Sequence, residues 1–333
     1  MQTLIIRKWK RPAKGRKREL PGAAPYPWII ARRERNMRKI SKRIAAAALA
    51  AALIPALLAG CSAPRAAKKY YTVVASFYPV YISALNIAGG VDGVRVVNMT
   101  RPTTGCLHDY QITSGDMQTI ESADVFVING AGMESFLTRV TKQMPKLATV
   151  NASEGIELIR GSDGEYNAHV WVSVSDDIKE VENIAAGLQK NDPAHARQYR
   201  QNAEKYIAKL TALRSDMHAA LDGVKNRRII TFHEAFPYFA SEFGLETAAV
   251  IERDPGAEPT PKQLAQVIDT VKSTGCRALF AEPQYSQAAA RAISAETGAK
   301  IYYLDPAVSG PDRADAYIDI MRNNLKVLKE ALD

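Results

Sequence analysis

The sequence predicts an α/β protein of two lobes joined by a single long, rigid helix. Three observations carry that prediction. Short β-branched runs alternate with amphipathic stretches over residues 71–151, the same alternation returns over 228–332, and between them a segment opened by Asp192-Pro193 runs without Pro or Gly as far as Gly223.

The first lobe is assigned to residues 71–190. Residues 71–77 read as a strand closed by Tyr78-Pro79, and 80–88 as a helix stopped at Gly89-Gly90. Residues 94–99 form the next strand, which delivers the chain to a glycine-marked loop holding Cys106, His108 and Asp109. Ser114 reads as the N-cap of a helix to Ser122, and 125–129 as a strand of the buried, parallel kind. A helix over 133–142, a strand over 148–151 and a helix opened by Ser175-Asp176-Asp177 complete the lobe.

In the linking segment, 191–224, Asp192 reads as the cap and Pro193 as the first helical residue. Tyr199, Ala203, Tyr206, Leu210, Leu213, Met217 and Leu221 recur at spacings of three and four. At about 1.5 Å per residue such a helix spans on the order of 45 Å, long enough to connect lobes rather than sit inside one. The second lobe, 225–333, places strands at 228–232, 247–251, 277–281 and 300–304, with helices at 234–243, 260–273, 287–297 and 314–332.

The net charge of +9 suggests a nucleic-acid binder until it is resolved by region. Residues 1–60 hold 15 Lys and Arg against two acids, so the remainder carries 29 basic and 33 acidic residues. The body is mildly acidic, and no nucleic-acid partner is expected. Arg38, Lys39, Lys42 and Arg43 precede an apolar run over 44–57 that ends in Leu58-Ala59-Gly60-Cys61. This is a secretory leader over 37–60, and its ending resembles the bacterial lipobox, in which the cysteine is diacylated. Cys61 then anchors the chain to the outer face of the cytoplasmic membrane, at the cell surface or in the periplasm, through a tether over 61–70. Residues 1–36 form a basic extension upstream of Met37, a plausible true start. Cys106 and Cys276 are read as two buried free thiols, because two cysteines carry no framework signal.

Of five histidines, His195 and His218 fall on the long helix and read as solvated. The other three lie at lobe edges: His108 in the loop after the second strand, His169 in His169-Val170-Trp171, and His233 directly after a predicted strand, as is Asp305. Ligand crevices of open α/β sheets form at such strand ends. Three imidazoles and a carboxylate suit a divalent transition metal. Spacing alone leaves open whether these four meet.

The chain resembles the metal-binding lipoprotein receptors of bacterial ABC importers, the zinc and manganese type of solute-binding protein. The resembling segments include Ala75-Ser76-Phe77-Tyr78-Pro79, His108-Asp109-Tyr110-Gln111, Ala123-Asp124-Val125-Phe126, His169-Val170-Trp171, Thr231-Phe232-His233-Glu234, Glu282-Pro283-Gln284-Tyr285 and Leu304-Asp305-Pro306. The resemblance implies a metal held between two lobes by His108, His169, His233 and Asp305. It also implies transfer of the ion to a membrane permease driven by a cytoplasmic ATPase, by a monomeric receptor that is not an enzyme. Histidine at the third position is usual in the zinc subgroup and glutamate in the manganese subgroup, so Zn2+ is expected and Mn2+ is the alternative. The histidine-rich loop of many zinc receptors is absent: residues 161–167 are short, with only Asp163 and Glu165 as acids.

Asp109, Glu234 and Glu282 are candidates to receive the second N–H of a ligating imidazole. Cys106 is expected to pack rather than to ligate. Two other classes compete. A surface adhesion lipoprotein is compatible with the leader, and a zinc hydrolase with the His and Asp set. His233-Glu234 begins like the His-Glu-x-x-His motif, but Pro237 occupies the second histidine position.

Overall fold

A computed structural model describes residues 70–333, apart from 102, 103, 105, 109, 162, 163, 252–258 and 284–286. All of them lie in the compact unit Lys68–Asp333. The leader, Cys61 and the tether as far as residue 69 lie outside the described residues, as does Asp109. Among the described residues no helix is long and apolar enough to cross a membrane.

The first sheet contains β1 (Tyr71–Ala75), β2 (Val94–Asn98), β3 (Val125–Ile128) and β4 (Ala148–Asn151), all parallel in the order β2-β1-β3-β4. Its helices are α1 (Tyr78–Ala88), α2 (Ser114–Glu121), α3 (Leu137–Gln143) and α4 (Val174–Asn191). Then comes α5 (Ala196–Leu221). The second sheet contains β5 (Arg228–Thr231), β6 (Glu246–Val250), β7 (Ala278–Ala281) and β8 (Lys300–Tyr303), again parallel, in the order β6-β5-β7-β8. Helices α6 (Pro237–Phe243), α7 (Pro261–Thr274), α8 (Ala288–Thr297) and α9 (Ala316–Leu332) accompany it. The two sheets share one topology, so each has its switch point at the equivalent place, between β1 and β3 and between β5 and β7.

The stripe read from the sequence of α5 is the buried face: Tyr199, Ala203, Tyr206, Leu210, Leu213, Met217 and Leu221 are all buried. Its 26 residues span about 39 Å. Asn202 Nδ2 donates to Ile87 O of α1 at 3.1 Å, while Lys209 Nζ meets Asp315 Oδ1, just before α9, at 2.7 Å. The stripe belongs to a core that continues from Val74 and Phe126 of the first sheet to Ile229, Phe280 and Leu304 of the second lobe. Side chains alternate across a strand. Ile230 and Leu279 therefore face the other way, into a separate core with Val267 of α7 and Ile293 of α8.

Four helix starts differ from the sequence reading, each for a local reason. Thr113, not Ser114, caps α2: its Oγ1 accepts from Asp116 N at 3.2 Å, and the Asp116 carboxylate accepts from Thr113 N at 2.8 Å, closing a capping box. α3 starts at Leu137 rather than Met133, because Glu134 turns inward to accept from Ser76 Oγ, Asn129 N and Gly130 N. Gly130 has φ +81°, and a Cβ there would lie 1.9 Å from Asn151 Oδ1. α5 starts at Ala196, since the Asp192 carboxylate accepts from Tyr199 Oη and pairs with His195 Nδ1, leaving Pro193 in a turn. α6 starts at Pro237, not Glu234, with proline at its first turn.

The buried carboxyls of Asp177 and Glu180 lie on the face of α4 turned to the core. Burial pushes both well above the carboxylate range; for Glu180 the charges of Asp177, Asp176 and Glu134 add to it. The folded chain therefore holds protons that the unfolded chain releases near pH 4, and this contribution to stability is lost as pH rises through the elevated folded values. Thermal unfolding across pH should show it. Glu180→Gln is expected to match the wild type near pH 4 and to exceed its Tm at pH 7.5. Parallel curves for the two proteins would contradict the assignment.

Candidate metal site

Three imidazoles and a thiol converge where the lobes meet. The His108 and His169 rings are 5.1 Å apart by centroid, and those of His169 and His233 are 4.7 Å apart. One donor atom from each of Cys106, His169 and His233 lies within 4.8 Å of the others. The Cys106 Sγ to His169 Nε2 distance is 3.4 Å.

Each residue reaches this point by a different route. His108 and Cys106 sit in the long connection from β2 to α2. Buried Leu107 fixes that loop between them; its N–H points at Met133 Sδ, 3.4 Å away. The capping box of α2 holds the loop's far end. His233 follows β5 by two residues and Glu282 follows β7 directly, so both stand at the switch point of the second sheet. Asp305 follows β8. His169 caps a short 3-10 turn, Val170–Val172, whose Trp171 Nε1 donates to Pro306 O across the lobe boundary at 2.7 Å.

His169 is the best defined of the set. Asn167 Nδ2 donates to Glu234 O at 2.7 Å, which turns the amide oxygen toward the histidine. That oxygen accepts from His169 N at 3.0 Å and lies 3.1 Å from Nδ1. An amide oxygen only accepts, so Nδ1 carries the proton and Nε2 offers its lone pair to the site. Burial holds the His169 imidazole well below the ordinary range, with His233 and His108 adding to it, so the ring is neutral. Tyr238 of α6 fastens the same turn, donating to Asn167 O at 2.7 Å and accepting from Ile159 N at 3.0 Å. Sequence reading passed over Asn167, although its position two residues before a candidate ligand is a signal that could have found it.

The acids divide. Glu282, almost fully buried, places Oε1 3.4 Å from His233 Nδ1, the position expected of a carboxylate that orients a ligating ring. Glu234 contributes its backbone carbonyl to Asn167. Asp305 is half-buried and, like His108, is not among the three donors within 4.8 Å of one another. Its Oδ1 accepts from Ala307 N at 2.8 Å, and Asn324 clamps its backbone from both sides, accepting from Asp305 N and donating to Asp305 O. Burial raises its carboxyl, the Ala307 N–H opposes the rise, and the Glu282 charge adds to it. Cys106 and Cys276 are both free; Cys276 is buried as expected, but Cys106 is only half-buried and faces the imidazoles.

Comparison with known proteins points in one direction. The family model described as zinc-uptake complex component A, periplasmic, matches residues 73–331. The chain is 32% identical over 280 residues to the high-affinity zinc uptake system protein ZnuA of Bacillus subtilis, covering 78% of this chain and 87% of that one. It is 30% identical over 319 residues to the zinc-binding lipoprotein AdcA of Streptococcus pneumoniae, spanning 89% of this chain and 62% of AdcA. Among solved structures it superposes on the solute-binding protein FpvC of Pseudomonas aeruginosa in complex with Mn2+, with a TM-score of 0.72 and 32% identity, over 80% of this chain and 99% of that one.

If Asn167 sets the His169 tautomer, Asn167→Ala should weaken binding of a divalent transition metal by roughly 10- to 100-fold without loss of fold, the range typical of partners that orient ligands. Calorimetric titration beside a far-UV spectrum checks this. Unchanged affinity in a folded variant would contradict it.

Proposed function

The chain belongs to the family of periplasmic zinc-uptake component A proteins, and on that premise we propose that it captures Zn2+ between its lobes with His108, His169, His233 and Asp305 as ligands. It is the zinc-binding receptor of an ABC importer and works with a membrane permease and its ATPase. The observation that carries the ligand proposal is the convergence of three imidazoles from both lobes, with ring centroids 5.1 and 4.7 Å apart.

Neutral imidazole nitrogen suits zinc, while manganese favours oxygen donors. His233 at the third position therefore favours zinc, and the FpvC complex with Mn2+ keeps manganese as the second reading. Four protein donors close the coordination sphere, and a closed site holds an ion rather than activating water. We therefore read the chain as a receptor without catalytic activity. The hydrolase reading also meets a geometric obstacle, because α6 begins only at Pro237 and so gives His233-Glu234 no helix to share with a second ligand.

The domain organisation we propose is a leader over 37–60, Cys61 as the lipid-carrying residue, a tether over 61–70, lobes over 71–190 and 225–333, and a linking segment over 191–224. The receptor works as a monomer on the outer face of the membrane. The core shared through α5 resists wide hinge opening, so zinc leaves through small shifts of the loops around His108 and Asp305.

Protein purified without added metal should contain zinc by elemental analysis and should retain it against excess Mn2+. Manganese recovered in its place would overturn the metal assignment. His108→Ala, His169→Ala, His233→Ala and Asp305→Ala should each weaken zinc binding by more than about a hundredfold, beyond what orienting partners contribute. Loss in Glu282→Ala with normal binding in Asp305→Ala would reassign the carboxylate. Small-angle scattering should give the same radius of gyration with and without zinc, and marked compaction on loading would contradict the limited motion.

A further inference from the structure

Cys106 is the residue that the receptor reading leaves without a task. A thiol used only for packing is expected among apolar side chains. This one packs in part against the apolar core, but it is half-buried and also lies against the imidazoles, with its Sγ 3.4 Å from His169 Nε2, the nitrogen whose lone pair Asn167 leaves facing the site. A donor atom of His233 lies within 4.8 Å of both.

These separations can be compared with a metal centre. With Zn–S near 2.3 Å and Zn–N near 2.05 Å, a tetrahedral angle places sulfur and nitrogen about 3.6 Å apart. The observed 3.4 Å is close to that edge, and the 4.8 Å limit on the remaining pairs leaves at most about 1.4 Å to close, within reach of rotamer adjustment. His108 and Asp305 both lie outside this trio, and Asp305 already spends Oδ1 on Ala307 N.

We propose that Cys106 Sγ is an inner-sphere ligand of the captured ion, bound with His169 and His233 as a mixed thiolate and imidazole centre. The proposal rests on the receptor reading above and gives to sulfur the anionic fourth position that the ligand set there assigns to Asp305. On metal entry the Sγ–H bond gives way to a metal–sulfur bond, and the proton leaves to solvent, so one proton is released per ion bound through sulfur. A thiolate supplies the negative charge that otherwise falls to Asp305, and it biases the site toward soft ions. Cys106 is thus a specificity-determining residue that favours Zn2+ and Cd2+ over Mn2+.

Cobalt(II) substitution of the purified full-length protein under reducing conditions tests this, with Cys106→Ser and Cys106→Ala in parallel. The wild type should show a near-ultraviolet sulfur-to-cobalt charge-transfer band together with visible ligand-field bands. Both variants should keep the ligand-field bands and lose the charge-transfer band, and their preference for Cd2+ over Mn2+ should fall on the order of tenfold. A wild-type complex with ligand-field bands and no charge-transfer band overturns the thiolate ligand while leaving the receptor reading intact, as does a band that persists in both variants. Failure of the wild type to bind either Co2+ or Zn2+ overturns the receptor reading and this proposal with it. If a variant binds no cobalt, its circular dichroism decides: a folded chain supports an essential ligand, and an unfolded one assigns Cys106 to packing and overturns the proposal.

Discussion

The apolar stripe of α5 is the constraint on which the rest of the structure depends. Two lobes with their own sheets would ordinarily move about a flexible connection. Here Tyr199 to Leu221 weld them instead, because the stripe packs into a core that also contains Phe126 of one sheet and Phe280 of the other. At roughly 1.5–3 kcal/mol for each large side chain fully buried, separating the lobes along that seam is costly. Imidazoles of opposite lobes, His169 and His233, are therefore held with ring centroids 4.7 Å apart. That is preorganisation, and it spares the binding step the entropy of assembling the site.

Polar contacts fine-tune what the core holds coarsely. Asn167 joins three things through one side chain and one carbonyl: the His169 ring, the Glu234 backbone and the Tyr238 hydroxyl. Trp171 repeats the device nearby, donating to Pro306 O while its own carbonyl accepts from Tyr317 Oη. The turn carrying His169 is thus bolted to the opposite lobe on both flanks. The His169 ring, kept neutral by its burial, stands beside the His108 and His233 rings, with the Glu282 carboxylate against His233, a donor set that suits a cation with a preference for nitrogen.

Much of this was legible in the sequence where the physics is local. The spacing of Tyr199, Ala203, Tyr206 and Leu210 identified the buried face of α5 residue by residue, since a helix repeats its environment every three to four positions. The placement of His233 and Asp305 after strands was equally readable, because parallel strands are short and apolar. The errors fall where distant groups decide. Glu134 reads as a helix former, yet it turns inward to serve Ser76, 58 residues earlier. Asn167 stands two residues before a candidate ligand, the one local hint of its task, while its bond to Glu234, 67 residues later, is not readable from the chain. Cys106 does pack against the core, as expected, but that it also faces His169 and His233 is visible only in the folded arrangement.

Capture of zinc as proposed places one ion among side chains from both lobes. X-ray absorption at the zinc edge of the loaded protein tests it most directly, because imidazole rings give a recognisable multiple-scattering pattern. Three imidazole nitrogens at about 2.0–2.1 Å from the metal are expected, completed by an anionic oxygen or sulfur donor. A sphere of oxygen donors alone, or one with a single imidazole, would contradict it.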